Sequence, residues 1–145
     1  MEHKALLESL IETVTKEGGS DLHISEERVP AIRVSGFLIP LLKEKSLTRE
    51  NLEGILSIVL AVEAKKEFLE TKELDFAYAH PLGRFRGNAF YRLGKISIAL
   101  RLIPKHIRTL EELNLPPILE IFSKKQQGFF LCVGPAGQGK STTLA

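Results

Sequence analysis

Residues 130–143 read FLCVGPAGQGKSTT, and the kind of chain this is depends on that stretch. The apolar run Phe129 to Val133 stops at Gly134, and Gly134-x4-Gly139-Lys140-Ser141 follows. This is the spacing G-x-x-x-x-G-K-[ST] of a Walker A loop, with a strand-like run before it and helix-compatible residues after it. Glycines let backbone N–H groups curl around an anion where a Cβ would obstruct them. Gly134, Pro135, Ala136, Gly137, Gln138, Gly139, Lys140, Ser141 and Thr142 are therefore the candidate phosphate cradle. Lys140 supplies a compact positive charge for the outer phosphates, and the Ser141 hydroxyl is suited to hold Mg²⁺. A helix expected from about Gly139 would turn its positive end toward the same phosphates. A glycine-rich turn arising by chance would have to account for strand, spacing, Lys and Ser together.

The sequence stops at Ala145, two residues past Thr143. In P-loop enzymes an acidic Mg²⁺ partner and a water-orienting residue are also needed, and they normally lie on later strands. The expectation is a truncated P-loop domain that holds phosphate, with no ATP hydrolysis by residues 1–145 alone. The strand Phe129 to Val133 should belong inside a parallel sheet, so its apolar surface and backbone must find a substitute partner, such as a neighbouring chain, or stay disordered.

At 43% hydrophobic and 26% charged over 145 residues, the chain has ordinary globular composition. Its length suits one domain, or one domain and part of a second. The net charge of +2, with both signs interspersed, demands no nucleic-acid partner. Cys132 reads as a small buried apolar residue in a reducing compartment. No apolar run approaches the roughly 18 residues of a membrane span, and Met1-Glu2-His3-Lys4 has no signal-peptide character. A cytoplasmic protein is expected.

Earlier in the chain, Leu6, Leu7, Leu10, Ile11 and Val14 recur at helical spacing until Gly18-Gly19. Asp21–Ser25, 29–34 and 37–42 predict a three-stranded meander. Thr48 should cap a helix with the face Leu52, Ile55, Leu56, Val59 and Leu60, and a second helix should run from about Val62 to Leu69. Leu74, Phe76 and Tyr78 alternate as a strand that ends in the turn His80-Pro81-Leu82-Gly83. Thr109-Leu110-Glu111-Glu112 has capping-box form, but Pro116-Pro117 should soon end any helix there. A short helix from Ile118 to about Lys125 should pack Ile121 and Phe122. The domain boundary is expected near 104–108, dividing an α/β domain (1–104) from the start of a P-loop domain (105–145).

The segments 84–92 and 95–102 predict a hairpin about Leu93-Gly94. A two-residue turn puts Arg86 directly opposite Arg101, whereas a three-residue loop would shift the pairing by one. Opposed like charges are unfavourable in a sheet, so the pair calls for an acidic neighbour or a bound anion. Two solvated arginines on an exposed face is the plain alternative. A single-stranded nucleic-acid platform is disfavoured, because Phe85 and Tyr91 face away from the arginines. His23 lacks metal partners at ligand spacing, which leaves structural hydrogen bonding for Asp21 and His23. His80, in a turn, is expected to be exposed.

Four motifs occur in order: Ser20-Asp21-Leu22-His23-Ile24, Pro30-Ala31-Ile32-Arg33-Val34-Ser35-Gly36, Arg84-Phe85-Arg86-Gly87-Asn88-Ala89-Phe90 and Gly134 to Thr143. Together they resemble the type IV pilus retraction ATPases (PilT-like) of the secretion ATPase superfamily, over essentially the whole chain. The resemblance implies an α+β, PAS-like N-terminal domain and a linker, then a RecA-like ATPase domain, here only begun. It implies homohexameric rings at the cytoplasmic, inner-membrane base of a pilus machine, peripheral to the membrane and acting on a platform protein. ATP and Mg²⁺ would be the ligands, and Arg86 and Arg101 match the arginines that reach the terminal phosphate; Arg84 is a weaker, structural candidate. The start at the small domain and the R-F-R-x-N-A-F run favour the retraction branch over the pilus assembly and type II secretion branches. A stand-alone, non-catalytic nucleotide-binding or oligomerisation module is the alternative of another class. Gln138 stands where the family usually has Ser, at a free position of the motif. Gly87 replaces a usual β-branched residue and should weaken its strand by about 0.5–1 kcal/mol.

Overall fold

The computed structural model describes residues 2–103, 108–135 and 138–144, and the chain divides into two compact units, Met1–Lys105 and His106–Ala145. The expected linker, apart from Arg108, lies outside the described residues.

The first unit is a six-stranded sheet with three helices: α1 (Glu2–Lys16), β1 (Asp21–Ser25), β2 (Ala31–Val34), β3 (Phe37–Pro40), α2 (Arg49–Val59), α3 (Val62–Thr71), β4 (Glu73–His80), β5 (Gly83–Arg92) and β6 (Lys95–Ile103). Strand order is β3-β2-β1-β6-β5-β4, and every pairing between these strands is antiparallel. The architecture is thus mixed α/β, of the α+β kind. The meander 21–40 forms as its sequence predicts.

The period of two along each strand sorts the two faces. Leu22, Ile24, Ile32, Phe85, Ala89, Ile96, Ile98 and Leu100 are buried with Leu7, Leu10, Ile11 and Val14 of α1, with Leu52, Ile55 and Leu56 of α2, and with Phe68 of α3. Full burial of such a side chain stabilises by about 1.5–3 kcal/mol, so this layer carries the fold. The intervening positions (Asp21, His23, Arg33, Arg86, Asn88, Ala99, Arg101) form the opposite, polar face.

Local chemistry fixes the ends. Thr48 Oγ1 accepts from Asn51 N at 3.2 Å, and Asn51 Oδ1 accepts from Thr48 N at 3.0 Å, closing a capping box at α2. Leu93 and Gly94 both take positive φ (52° and 76°), the two-residue turn that sets the β5–β6 register. Gly87 is more than a weak spot in β5. A Cβ there would lie 2.2 Å from Phe76 Cζ, so the Phe76 ring on β4 covers the glycine.

His80 corrects its expectation. It is 6% exposed, its Nε2 lies 2.5 Å from Glu8 Oε2, and its Nδ1 accepts from Leu82 N at 3.2 Å. A carboxylate from α1 makes this burial tolerable.

In the second unit α4 (Ile118–Ser123) and α5 (Lys140–Leu144) form, but Phe129 to Val133 has no strand pairing. A strand needs a neighbour for its N–H and C=O groups, and the described residues of this unit supply none. Cys132 is half-buried rather than buried. Ile121 and Phe122 remain 53% and 44% exposed, although the Phe122 and Phe130 rings stack with centroids 5.3 Å apart. Thr109 and Glu112 make both capping-box hydrogen bonds (2.8 and 3.2 Å), yet only turns follow over 110–114.

Candidate functional site

Two groups of residues carry candidate chemistry, one in each unit. On the polar face of the sheet, one row crosses four strands: Arg33 on β2, Asp21 on β1, Arg101 on β6 and Arg86 on β5. Arg86 and Arg101 are direct partners in the ladder. The acidic neighbour that this pairing requires is present twice. Arg101 Nε donates to Asp21 Oδ1 at 2.9 Å, and Arg86 Nη2 donates to Asp75 Oδ2 at 3.4 Å. Asp21 Oδ2 also accepts from Ser20 Oγ at 2.7 Å and lies 3.5 Å from Arg33 Nε. Asn88 Nδ2 donates to Asp75 Oδ1 at 3.0 Å.

Burial alone would raise the pKa of Asp21, but the Ser20 hydrogen bond and the Arg101 guanidinium outweigh it and hold the carboxyl below its ordinary value. His23, one step along β1, is pushed the other way. Burial and then the nearby Arg33 charge lower its pKa, so the neutral ring is favoured. Its Nε2 is buried without a hydrogen-bond partner, which departs from the expected hydrogen-bonding role. Asp21, by contrast, makes the hydrogen bonds expected of it. Between these side chains lies an open depression of about 250 Å³, lined by His23, Asp75, Asn88 and Ala99 with the two arginines.

In the second unit Gly134, Pro135, Gln138 and Gly139 lead into α5, which carries Lys140, Ser141 and Thr142. Ala136 and Gly137 lie outside the described residues. Gly139 takes φ +80°, a conformation that glycine adopts without strain, immediately before the helix. Lys140 Nζ donates to Pro135 O at 2.6 Å, drawing the ammonium over the loop. Ser141 and Thr142 are exposed, and Thr143 Oγ1 donates to Gly139 O at 3.0 Å. The donor set is an ammonium, an exposed hydroxyl and a helix start, which fits a phosphate with its magnesium ion. Among the described residues no group of three or more His, Cys, Asp or Glu could hold a metal by itself.

The sequence pointed to both arginines and to the loop. It did not single out Asp75 or Arg33, nor Asp21 as a clamp. The period of two puts Asp21 and Arg33 on the polar faces of their strands, but only the β1–β6 pairing brings Asp21 to Arg101.

No protein-family model matches the chain. It is 37% identical over 139 residues to the type IV pilus ATPase PilU of Pseudomonas aeruginosa, covering 95% of this chain and 36% of that protein. A crystal structure of the pilus retraction motor PilT with bound ADP superposes with a TM-score of 0.74 at 32% identity, over 92% of this chain and 39% of that one. The X-ray structure of the Legionella pneumophila ATPase DotB gives a TM-score of 0.82 at 27% identity, over 97% and 40%. The chain therefore spans about two fifths of the length of the relatives it matches. No helix among the described residues is long and apolar enough to cross a membrane.

Proposed function

We propose, from the chain's homology to the type IV pilus and secretion ATPase superfamily, that it is part of an ATP-driven pilus retraction motor. Its own share of that work is to bind nucleotide. The observation that carries this reading is Gly139-Lys140-Ser141 at the start of α5, with the Lys140 ammonium folded over the loop. Gly134 to Thr142 hold the phosphates, Lys140 neutralises their charge, and the Ser141 hydroxyl ligates the magnesium ion that enters with ATP. When bound, that ion neutralises charge developing between the outer phosphates. Arg86 and Arg101 take the terminal phosphate, for which a planar fork of donors suits them. Each has a carboxylate beside it on the sheet, Asp21 for Arg101 and Asp75 for Arg86.

In this reading residues 1–104 are a PAS-like domain, supported by the antiparallel sheet with its helical layer. Residues 105–145 open a RecA-like domain. The full-length protein of this reading is a cytoplasmic homohexamer. It is peripheral to the inner membrane and works on a platform protein there. Hydrolysis belongs to that whole, and residues 1–145 bind without turnover.

Calorimetric titration of MgATP into residues 1–145 and into a Lys140→Ala variant tests the reading. Affinity at least tenfold weaker in the variant is expected, since a charge-assisted contact to phosphate contributes about 1.5–3 kcal/mol. Equal binding by both proteins would refute a phosphate role for this loop.

A further inference from the structure

The two opposed arginines are held in different ways. Arg101 donates through Nε to a carboxylate that is itself only 9% exposed, while 70% of the Arg101 side chain faces solvent. Both oxygens of Asp21 are occupied, one by Arg101 and the other by Ser20 with Arg33 nearby, so the carboxylate has one orientation. Arg86 meets Asp75 at 3.4 Å with the two side chains 71% and 61% exposed, and a pair of that kind holds little against solvent. A guanidinium has five donors in a rigid plane. Fixing Nε to a buried carboxylate sets that plane and leaves the terminal amino groups for a second anion.

We propose that Asp21 is a positioning residue, which presets Arg101 as the fixed arm of an anion-binding arginine pair and leaves Arg86 as the adjustable arm. This rests on the reading that the two arginines take a phosphate. It has a consequence that charge alone does not. Removing a negative charge beside an anion site strengthens anion binding by Coulomb's law, whereas loss of a positioning group weakens it. Ordering Arg101 anew on each binding event costs side-chain entropy that Asp21 otherwise removes beforehand.

The test is calorimetric titration of inorganic tripolyphosphate into residues 1–145, so that neither base nor metal takes part. Arg101→Ala is expected to weaken binding about tenfold and Asp21→Asn about fivefold. The double variant should bind no more weakly than Arg101→Ala alone. Because Asp21→Asn leaves a buried site altered, Arg101→Lys gives a second reading that does not depend on it. Lysine keeps the charge but lacks the fork that could serve carboxylate and anion together, so it should bind as weakly as alanine. Asp21→Asn binding as tightly as the unaltered chain or tighter, or Arg101→Lys restoring binding, would overturn the positioning role while leaving the arginine site intact. Arg101→Ala without effect, or no binding by the unaltered chain, overturns the arginine site and this inference with it.

Discussion

Ile98 and Leu131 both sit within apolar runs, and the molecule treats them oppositely. Ile98, on β6, is 1% exposed among residues of three helices and the neighbouring strands, whereas Leu131 is 73% exposed between Phe130 and Cys132. Phe129 and Val133 are 92% and 89% exposed, and neither α4 nor α5 has a buried residue. Apolar sequence is therefore not sufficient for a core or for a strand. In residues 2–103 the apolar faces of β1, β5 and β6 meet those of the helices, and each interior strand has two ladders. In residues 108–144 the described segments offer no ladder to Phe129–Val133. The difference lies in what the rest of the sequence brings to each run.

The largest effect expected from this comparison comes from truncating the two residues in parallel. Ile98→Ala should lower the unfolding free energy by about 2–4 kcal/mol, the sum of lost burial and residual cavity. Leu131→Ala should change it by less than about 0.5 kcal/mol. Urea denaturation followed by far-ultraviolet circular dichroism measures both. A Leu131→Ala loss comparable to that of Ile98→Ala would break the comparison, since it would mean that the second run is packed in solution.

The same contrast explains what could be read in the sequence. The β5–β6 register was legible because Leu93-Gly94 is a local turn signal, and Arg86 opposite Arg101 followed from it. The α2 start and the helix after Gly139 were likewise written in neighbouring residues. The Asp21 clamp was not, because its partner Arg101 lies 80 residues away. Nor was the burial of His80, whose partner Glu8 is 72 residues distant. Local chemistry announces turns and caps, but tertiary pairing decides which polar side chains share a site. Phe129–Val133 has no ladder for the same reason, since the fate of a strand-like run depends on segments other than itself.

Gly87 gives a test of intermediate size, because a strand-propensity argument and the structure predict opposite signs. By propensity, Gly87→Val should stabilise β5, since valine is favoured in strands. In the structure the new Cβ would meet the Phe76 ring at 2.2 Å, and overpacking of this kind costs about 1–3 kcal/mol. Thermal unfolding of Gly87→Val should therefore show destabilisation, and adding Phe76→Leu should recover part of it. A stabilised Gly87→Val protein would show that the ring moves aside freely.

The smallest expected effect isolates the comparison best, because the same motif occurs in both regions. Thr48 with Asn51, and Thr109 with Glu112, each make the two reciprocal hydrogen bonds of a capping box. After Thr48 an eleven-residue helix follows, with Leu52, Ile55, Leu56 and Val59 buried. After Thr109 only turns follow, and Pro116-Pro117 interrupts before a helical face could form. A cap satisfies orphan N–H groups but does not by itself supply the packing that keeps a short helix formed. Thr48→Ala should thus cost about 1 kcal/mol of unfolding free energy, while Thr109→Ala should leave the main transition unmoved. If both variants shift it equally, the second box is coupled to a packed unit, and the division of the chain into a built half and an unpartnered half no longer holds.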